Sequence, residues 1–245
     1  MASFQAIVEK VIRQADVLLL VLDARMVEET RQIELEEQVQ SLAKPLIYVC
    51  TKCDLVDQKT SEEYKKKLKP CIFVSSTKYY GITMLKELIH KLGKDIDGDI
   101  RVGVLGYPNV GKSSLINALK GKQSAKVSKH SGHTRGVQRI RVDERIMILD
   151  TPGILSRDDD LVTRAVTGSV DYTKVKDPDL VVLRLLEENP GLLEAYYDVS
   201  PNLDHEETLK EIGLKKRILQ KGGEPDIDKA SRAILKEWQT GLIRK

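Results

Sequence analysis

Short apolar runs alternate with amphipathic segments over the first 150 residues of the chain. Five runs have the length and composition of buried strands: Val17–Leu22, Leu46–Cys50, Cys71–Ser75, Ile100–Leu105 and Ile146–Leu149. Three segments with helical periodicity lie between them: Ile33–Leu42, Tyr64–Leu68 and Ile82–Leu92. Strands that alternate with helices predict βαβ units, so we expect an α/β fold with a mostly parallel sheet.

The pattern changes in the second half of the chain. Gly136–Val142 alternates apolar and polar residues just before the last apolar run, which predicts an antiparallel strand pair. After Ile154 the strand signal stops, and residues 159–245 have helical patterning interrupted by turn-forming sequences. We therefore predict an α/β domain over residues 1–160 and a helical domain over residues 161–245.

The net charge of +3 is unevenly distributed. Residues 210–245 carry ten Lys or Arg against five Asp or Glu, a net +5 that leaves −2 on the remainder. A basic segment on a slightly acidic body suggests a polyanionic partner, although a solvated surface would explain it as well.

Cellular location is constrained by what the sequence lacks. No apolar run is long enough to cross a bilayer, so we expect no membrane partner. The cysteines are Cys50, Cys53 and Cys71, an odd number without a disulfide framework, which favours the reducing cytoplasm. No obligate oligomer is inferred.

The sequence from Gly106 to Ser113 fits G-x-x-x-x-G-K-[ST] at every fixed position. It follows a predicted strand and opens a predicted helix, so backbone N–H groups and the helix N-terminus can surround phosphate oxygens. Lys112 is expected to reach the β- and γ-phosphates, and the Ser113 hydroxyl to bind Mg²⁺.

Two further sequences fit the γ-phosphate end of such a site. Asp150-Thr151-Pro152-Gly153 follows a buried strand, so Asp150 can hold Mg²⁺ while the Gly153 N–H contacts the γ-phosphate. Thr134 is the expected second protein ligand for Mg²⁺, made when the γ-phosphate is present. Alternatively, Thr134 only begins the following strand.

A base-reading motif lies upstream of the phosphate loop. Thr51-Lys52-Cys53-Asp54 follows a predicted buried strand and fits [N/T]-K-x-D. The Asp54 carboxylate can accept hydrogen bonds from N1–H and the exocyclic amine of guanine, a donor pair that adenine lacks. The sequence Ser75-Ser76-Thr77 resembles the loop whose backbone amides meet guanine O6.

These motifs, in this order, resemble the circularly permuted GTPases of the YlqF/RbgA/YawG group. The resemblance runs from about Ala15 to the C-terminus through ADVLLLVLDAR, TKCD, SSTKYYG, GYPNVGKSSLIN, SGHTRG, DTPGIL, KGGEPD and KEWQTG. It implies a GTP-hydrolysing switch that assists assembly of the large ribosomal subunit, with a precursor particle and rRNA as partners and a helical domain that touches RNA.

The resemblance also implies the site residues. GTP or GDP would be bound by Thr51, Lys52, Asp54, Ser75, Ser76, Thr77, Asn109, Val110, Gly111, Lys112, Ser113, Ser114 and Gly153. Mg²⁺ would be held by Ser113, Thr134 and Asp150. Catalysis would depend on Lys112, Thr134 and Gly153, which surround the γ-phosphate.

Three positions qualify this expectation. Thr51 stands where Asn is usual, which predicts modest guanine affinity. Ile154 stands where many GTPases carry a water-positioning Gln, which predicts slow hydrolysis unless another group is supplied; His133 is a weak candidate. Asn109 matches a position that helps bind an activating K⁺ in related GTPases, and a role in loop structure alone is the alternative.

The last predicted helix carries both a core residue and a basic face. Trp238 shares an apolar face with Ala230 and Ile234, which predicts a buried position. Lys229, Arg232 and Lys236 lie beside it at helical spacing, either as an RNA-contacting strip or as a solvated face.

Two other functions stay open on the sequence. One is a nucleotide-gated RNA-binding module whose hydrolysis is incidental. The other is a P-loop ATPase or kinase, which predicts no dependence of base preference on Asp54.

Overall fold

The structure, a computed structural model, describes residues 4–121, 138–151 and 160–244. The chain forms two compact units, Met1–Ser156 and Arg157–Lys245. The strands of the first unit are β1 (Val17–Asp23), β2 (Leu46–Thr51), β3 (Cys71–Phe73), β4 (Ile100–Gly106), β5 (Gln138–Arg141) and β6 (Ile146–Asp150). Its helices are α1 (Phe4–Gln14), α2 (Val27–Thr30), α3 (Ile33–Ser41), α4 (Gln58–Lys67), α5 (Ile82–Leu92) and α6 (Lys112–Lys120).

The described strands form one sheet in the order β3-β2-β1-β4-β6-β5. Every neighbouring pair is parallel except β5–β6, which is antiparallel. The predicted α/β class with a mostly parallel sheet is confirmed, and so is the antiparallel pair. The third strand ends at Phe73, two residues earlier than its apolar run predicted.

Strand β1 lies at the centre of this sheet and is buried along its whole length. Leu19 and Val21 pack into a core with α5 and α6, whereas Leu18 and Leu20 pack into the opposite core with α1 and α3. Because both faces of the sheet are covered by helices, the strand is a continuous apolar run without alternation.

Helix α1 was not predicted. Its residues Val8, Val11 and Ile12 are buried, and their spacing in the sequence is the pattern that indicates an amphipathic helix. The helix packs closely over β4 because Gly103 has no side chain; a Cβ there would lie 2.9 Å from Val11 Cγ1. At the C-terminal end of the helix, the Lys44 ammonium donates to the carbonyls of Arg13 and Ala15, both at 2.6 Å.

Residues 93–99 connect the half of the sheet that carries the base-reading motif to the half that carries the phosphate loop. Arg145 donates from its guanidinium to the Ile96 carbonyl at 2.6 Å. Arg141 pairs with Asp99 through two hydrogen bonds, of 3.0 and 2.6 Å. The β5–β6 hairpin therefore anchors this connection to the sheet.

The second unit is helical where it is described. Its α-helices are α7 (Leu161–Val166), α8 (Pro178–Glu188), α9 (Leu192–Tyr197), α10 (His205–Lys215) and α11 (Ile227–Thr240). Trp238 is fully buried and its indole N–H donates to the Val166 carbonyl at 2.9 Å, so the predicted core position is confirmed. Within the described ranges of both units, every helix is too short or too polar to cross a membrane.

Candidate nucleotide site

The predicted site residues follow the carboxyl ends of parallel strands. The base-reading motif follows β2, the base loop follows β3, the phosphate loop follows β4, and Asp150 ends β6. Parallel strands place all these ends at one edge of the sheet, where open α/β sheets bind ligands. Only β1 separates β2 from β4, which sets their axes ~9–10 Å apart.

The phosphate loop has a backbone that requires glycine at two positions. Gly106 has φ 140°, and a Cβ there would collide with the Val21 carbonyl. Gly111 has φ 105° and lies at the N-cap of α6. Ser113 and Ser114 are exposed on the first turn of this helix, so their hydroxyls and the helix N-terminus are open to an anionic ligand.

Lys112 is a buried cation, and its hydrogen-bond partners among the described residues are backbone carbonyls. Its side-chain Nζ donates to the Gly106 carbonyl at 2.8 Å and to the Tyr107 carbonyl. Burial lowers the pKa of Lys112 to about 8, and the nearby charge of Asp150 offsets part of that effect. Within the part of the chain that the structure describes, no carboxylate forms an ion pair with this ammonium, so a bound anion could compensate its buried charge.

Asp150 is the complementary buried anion. Its Oδ1 has no hydrogen-bond partner among the described residues. Burial raises the pKa of Asp150, and the charge of Lys112 lowers it again in part. Thr151 holds the strand end in place by donating from Oγ1 to the Val104 carbonyl at 2.7 Å. A buried carboxylate oxygen without a donor fits a ligand of a hard cation such as Mg²⁺.

Thr51 joins the base-reading motif to the phosphate loop. Its Oγ1 lies 2.9 Å from the Leu22 carbonyl and also contacts the Val110 carbonyl, and its one proton can be donated to either. A Cβ added at Gly111 would lie 3.3 Å from this oxygen. The replacement of Asn by Thr thus leaves a short side chain in direct contact with the loop.

The rest of the motif forms a tight turn. Lys52 adopts the left-handed conformation, φ 57°, which costs a non-glycine residue ~1–2 kcal/mol. Asp54 lies in the following 3₁₀ turn, Cys53–Leu55, and is half-buried. The Cys53 N–H donates to the Val74 carbonyl at 3.2 Å, so the turn is fixed to the end of β3.

The base loop after β3 is closed by a pair of backbone hydrogen bonds between Ser75 and Tyr80, both 3.1 Å. The Ser75 hydroxyl lies 3.1 Å from Thr77 Oγ1 and accepts from the Lys78 N–H at 3.2 Å. Within the described part of the chain, the backbone N–H groups of Ser76 and Thr77 have no acceptor. They are available to an acceptor such as a base oxygen.

Sequence reasoning missed an ionic cluster at the end of β1. The Asp23 carboxylate is fully buried and pairs with Arg25 at 2.8 Å and with Lys52 at 2.6 Å. Burial raises the pKa of Asp23, but the charges of Lys52 and Arg25 outweigh it and hold the pKa well below its usual range. The available signal was an acidic residue that ends a wholly apolar strand.

The remaining predicted residues belong to the γ-phosphate end of the site and to the phosphate loop. Thr134, Gly153 and His133 lie outside the described residues. Asn109 is exposed in the phosphate loop with φ 59°.

The basic strip on α11 is partly compensated. Lys229 pairs with Asp226 at 2.6 Å, and Arg232 pairs with Asp228 at 2.8 Å. Lys236 is exposed and has no ion pair within the residues that the structure covers. One of the three cations is thus uncompensated in this structure.

Two family models match the chain. One, described as RsgA GTPase, matches residues 7–158, which is more than half of the chain. The other, described as 50S ribosome-binding GTPase, matches residues 101–219.

Curated relatives match almost all of the chain. It is 40% identical to an uncharacterized GTP-binding protein of Methanocaldococcus jannaschii, over 97% of this chain and 65% of the relative. It is 36% identical to nucleolar GTP-binding protein 2 of Neurospora crassa, over 96% of this chain and 40% of that protein. The chain therefore spans less than two thirds of the length of these relatives.

Solved structures of YlqF from Thermotoga maritima match the fold. The GDP-bound structure has a TM-score of 0.70 at 25% identity, and the match covers 97% of this chain and 96% of the YlqF chain. The GNP-bound structure has a TM-score of 0.68 at 25% identity, with 99% and 95% covered. Together with the family model over residues 7–158, these matches show that the chain belongs to the circularly permuted, YlqF-like family of GTPases.

Proposed function

We propose that this chain binds and hydrolyses GTP as a switch in the assembly of the large ribosomal subunit. The observation that carries the proposal is the contact of Thr51 with the Val110 carbonyl. This contact holds the two predicted motifs next to each other, although the chain reaches them in reversed order, and so supports a single site. One nucleotide can then lie across both ends.

At the base end, recognition depends on a carboxylate and backbone amides. Asp54 accepts from N1–H and the exocyclic amine of guanine, and the free N–H groups of Ser76 and Thr77 face O6. Adenine offers neither the donor pair nor the acceptor, so it would leave a half-buried carboxylate unpaired. Lys52 covers the base with its aliphatic stem.

At the phosphate end, the chain offers cationic and metal-binding groups. Lys112 moves its hydrogen bonds from the loop carbonyls to the β- and γ-phosphates, which compensates its buried charge. Ser113, Asp150 and Thr134 would hold Mg²⁺. The ion would supply positive charge that offsets the negative charge of the phosphates. Gly153 contacts the γ-phosphate through its N–H.

The partner is proposed from the names of the relatives. The matched models and proteins include a 50S ribosome-binding GTPase and a nucleolar GTP-binding protein. The helical unit carries the basic segment, and exposed ion pairs such as Lys229–Asp226 are weak enough for phosphate to replace. We infer that this unit contacts rRNA in a large-subunit precursor. An RNA-binding module with incidental hydrolysis is the second candidate, favoured only by that basic segment.

Base specificity is tested with Asp54→Asn. We expect its affinity for GDP to fall about 100-fold and its affinity for xanthosine diphosphate to rise, because xanthine carries an oxygen in place of the exocyclic amine. Titration calorimetry with GDP, XDP and ADP measures both changes. Asp57→Ser is the control, since it removes a nearby exposed carboxylate and keeps an N-cap for α4. An unchanged GDP affinity, or ADP bound as tightly as GDP, favours the ATPase or kinase reading.

Lys112→Met tests the burial of the phosphate-loop cation. Because the folded pKa of about 8 lies below the unfolded value of 10.5, the unfolded chain binds more protons between these pH values. Stability of the wild type should therefore rise through this window relative to the variant. At pH 7 we expect the free energy of unfolding of the variant to be ~2 kcal/mol higher than that of the wild type. The variant should also lose GDP binding.

Denaturant unfolding at pH 7 and pH 9.5 measures the effect, with Lys120→Met as a control at the other end of α6. A Lys112→Met variant that is less stable than the wild type at pH 7 would contradict the uncompensated charge.

Turnover is tested by phosphate release with and without large-subunit particles, in K⁺ or Na⁺. We expect slow intrinsic hydrolysis and stimulation of at least ~10-fold by particles, because a partner can supply the missing charge or water-positioning group. If the rate is higher in K⁺ than in Na⁺ and this difference disappears in Asn109→Ala, Asn109 is assigned to K⁺ binding. Equal rates in the two salts would leave Asn109 with a role in loop structure. GTP-dependent docking without turnover supports the RNA-binding module instead.

Signal transmission is tested by hydrogen exchange. The helical unit begins at Arg157, shortly after the Asp150–Gly153 motif in the sequence, so we propose that rearrangement at the motif is passed to it. Amides in α7 and α8 are expected to change protection between the GDP and GTP-analogue complexes. Identical protection of residues 161–245 in both complexes would refute this connection.

A further inference from the structure

Asp23 accepts hydrogen bonds from two cations at the end of β1. Its Oδ1 accepts from the backbone N–H of Arg25 at 3.0 Å and from its Nε at 3.1 Å. Its Oδ2 accepts from a terminal nitrogen of Arg25 at 2.8 Å and from the Lys52 ammonium at 2.6 Å. Both oxygens of this fully buried carboxylate are therefore used.

The position of this cluster connects it to the site. Asp23 lies opposite Thr51 in the β1–β2 register. The Ala24 N–H donates to the Thr51 carbonyl at 2.9 Å, so the two strand ends continue to pair just before Lys52. The motif is thus attached to this strand end twice, through the backbone of Ala24 at Thr51 and through the side chain of Asp23 at Lys52.

A role in stability alone is a poor explanation for these charges. Buried ion pairs are often no better for stability than apolar side chains of similar volume. The six preceding residues of β1 are all buried and apolar. The fully buried carboxylate lies where the strand reaches the edge that carries the site, and one of its partners, Lys52, belongs to the motif.

We propose that Asp23, locked by Arg25, is a positioning residue for guanine recognition that acts through Lys52. Fixing the ammonium of Lys52 sets the direction of its stem across the base. It also holds the left-handed residue that begins the turn carrying Asp54, since the Leu55 N–H donates to the Lys52 carbonyl at 2.9 Å. The inference rests on the proposed GTP function and adds a residue that the base-reading motif does not contain.

A double-mutant cycle on the Kd for mant-GDP tests this role, with mant-IDP measured in parallel because hypoxanthine lacks the exocyclic amine. We expect Asp23→Asn and Lys52→Met each to weaken mant-GDP binding about tenfold, and the double variant to bind no more weakly than the weaker single variant. Asp23→Asn should also lower the preference for GDP over IDP, which a merely structural role would leave unchanged. Additive losses, or an unchanged preference, overturn the proposal.

The matched control is Asp16→Asn at the opposite end of β1. Asp16 also forms a two-point ion pair, with Arg101 at 2.7 and 2.9 Å, but away from the site edge, so GDP affinity should not change. If Asp23→Asn does not fold by circular dichroism, Lys52→Arg is compared with Lys52→Met. Arginine keeps a partner for Asp23 and should retain most of the affinity; equal losses in both variants overturn the proposal.

The outcomes separate this inference from the function on which it rests. Wild-type GDP binding and the xanthine shift of Asp54→Asn judge the GTP site by themselves. If both are as expected and Asp23→Asn binds like the wild type, only the role of Asp23 is lost.

Discussion

The site depends on the parallel pairing of β1 with β2 on one side and with β4 on the other. This pairing fixes the distance between the strand end that carries the base reader and the strand end that carries the phosphate loop. Thr51 completes the arrangement by contacting Val110 directly across the edge. Everything that the two motifs do together requires this register, because a slip by one residue would turn buried side chains of β1 from one core to the other.

The same constraint explains why a reversed motif order is physically acceptable. Hydrogen bonds between strands depend on which strands are neighbours, not on the order in which the chain forms them. What the reversed order requires is a new connection, here residues 93–99, between α5 and β4. Arg145 and Arg141 of the β5–β6 hairpin bind the carbonyls and the Asp99 carboxylate of that connection. The permuted chain therefore retains the sheet while it places the helical unit after the Asp150 strand.

The sequence was informative where one local pattern implies one structure. Apolar runs predicted β1, β2, β4 and β6, since a strand covered on both faces needs such a run. Helix α1 was missed although Val8, Val11 and Ile12 have helical spacing, because three such positions within one helix of 11 residues are a weak signal by themselves. The ionic cluster was missed for a different reason: Asp23 and Lys52 are 29 residues apart and meet only through strand pairing. The ion pairs Lys229–Asp226 and Arg232–Asp228 likewise depend on side-chain conformations that helical spacing does not determine.

The two ends of the site differ in how their buried charges are satisfied. At the proposed base end, both oxygens of Asp23 are occupied by Arg25 and Lys52, so the turn that begins at Lys52 is fixed by groups of the protein itself. At the phosphate end, among the residues that the structure describes, Asp150 Oδ1 has no hydrogen-bond partner and the Lys112 ammonium donates to backbone carbonyls. A ligand gains the most binding free energy where buried charges are uncompensated, because pairing with them offsets the desolvation cost that those charges already impose on the protein. Such a site would hold the guanine end constant while its phosphate end responds to what is bound, which is the asymmetry that a switch between GTP and GDP needs.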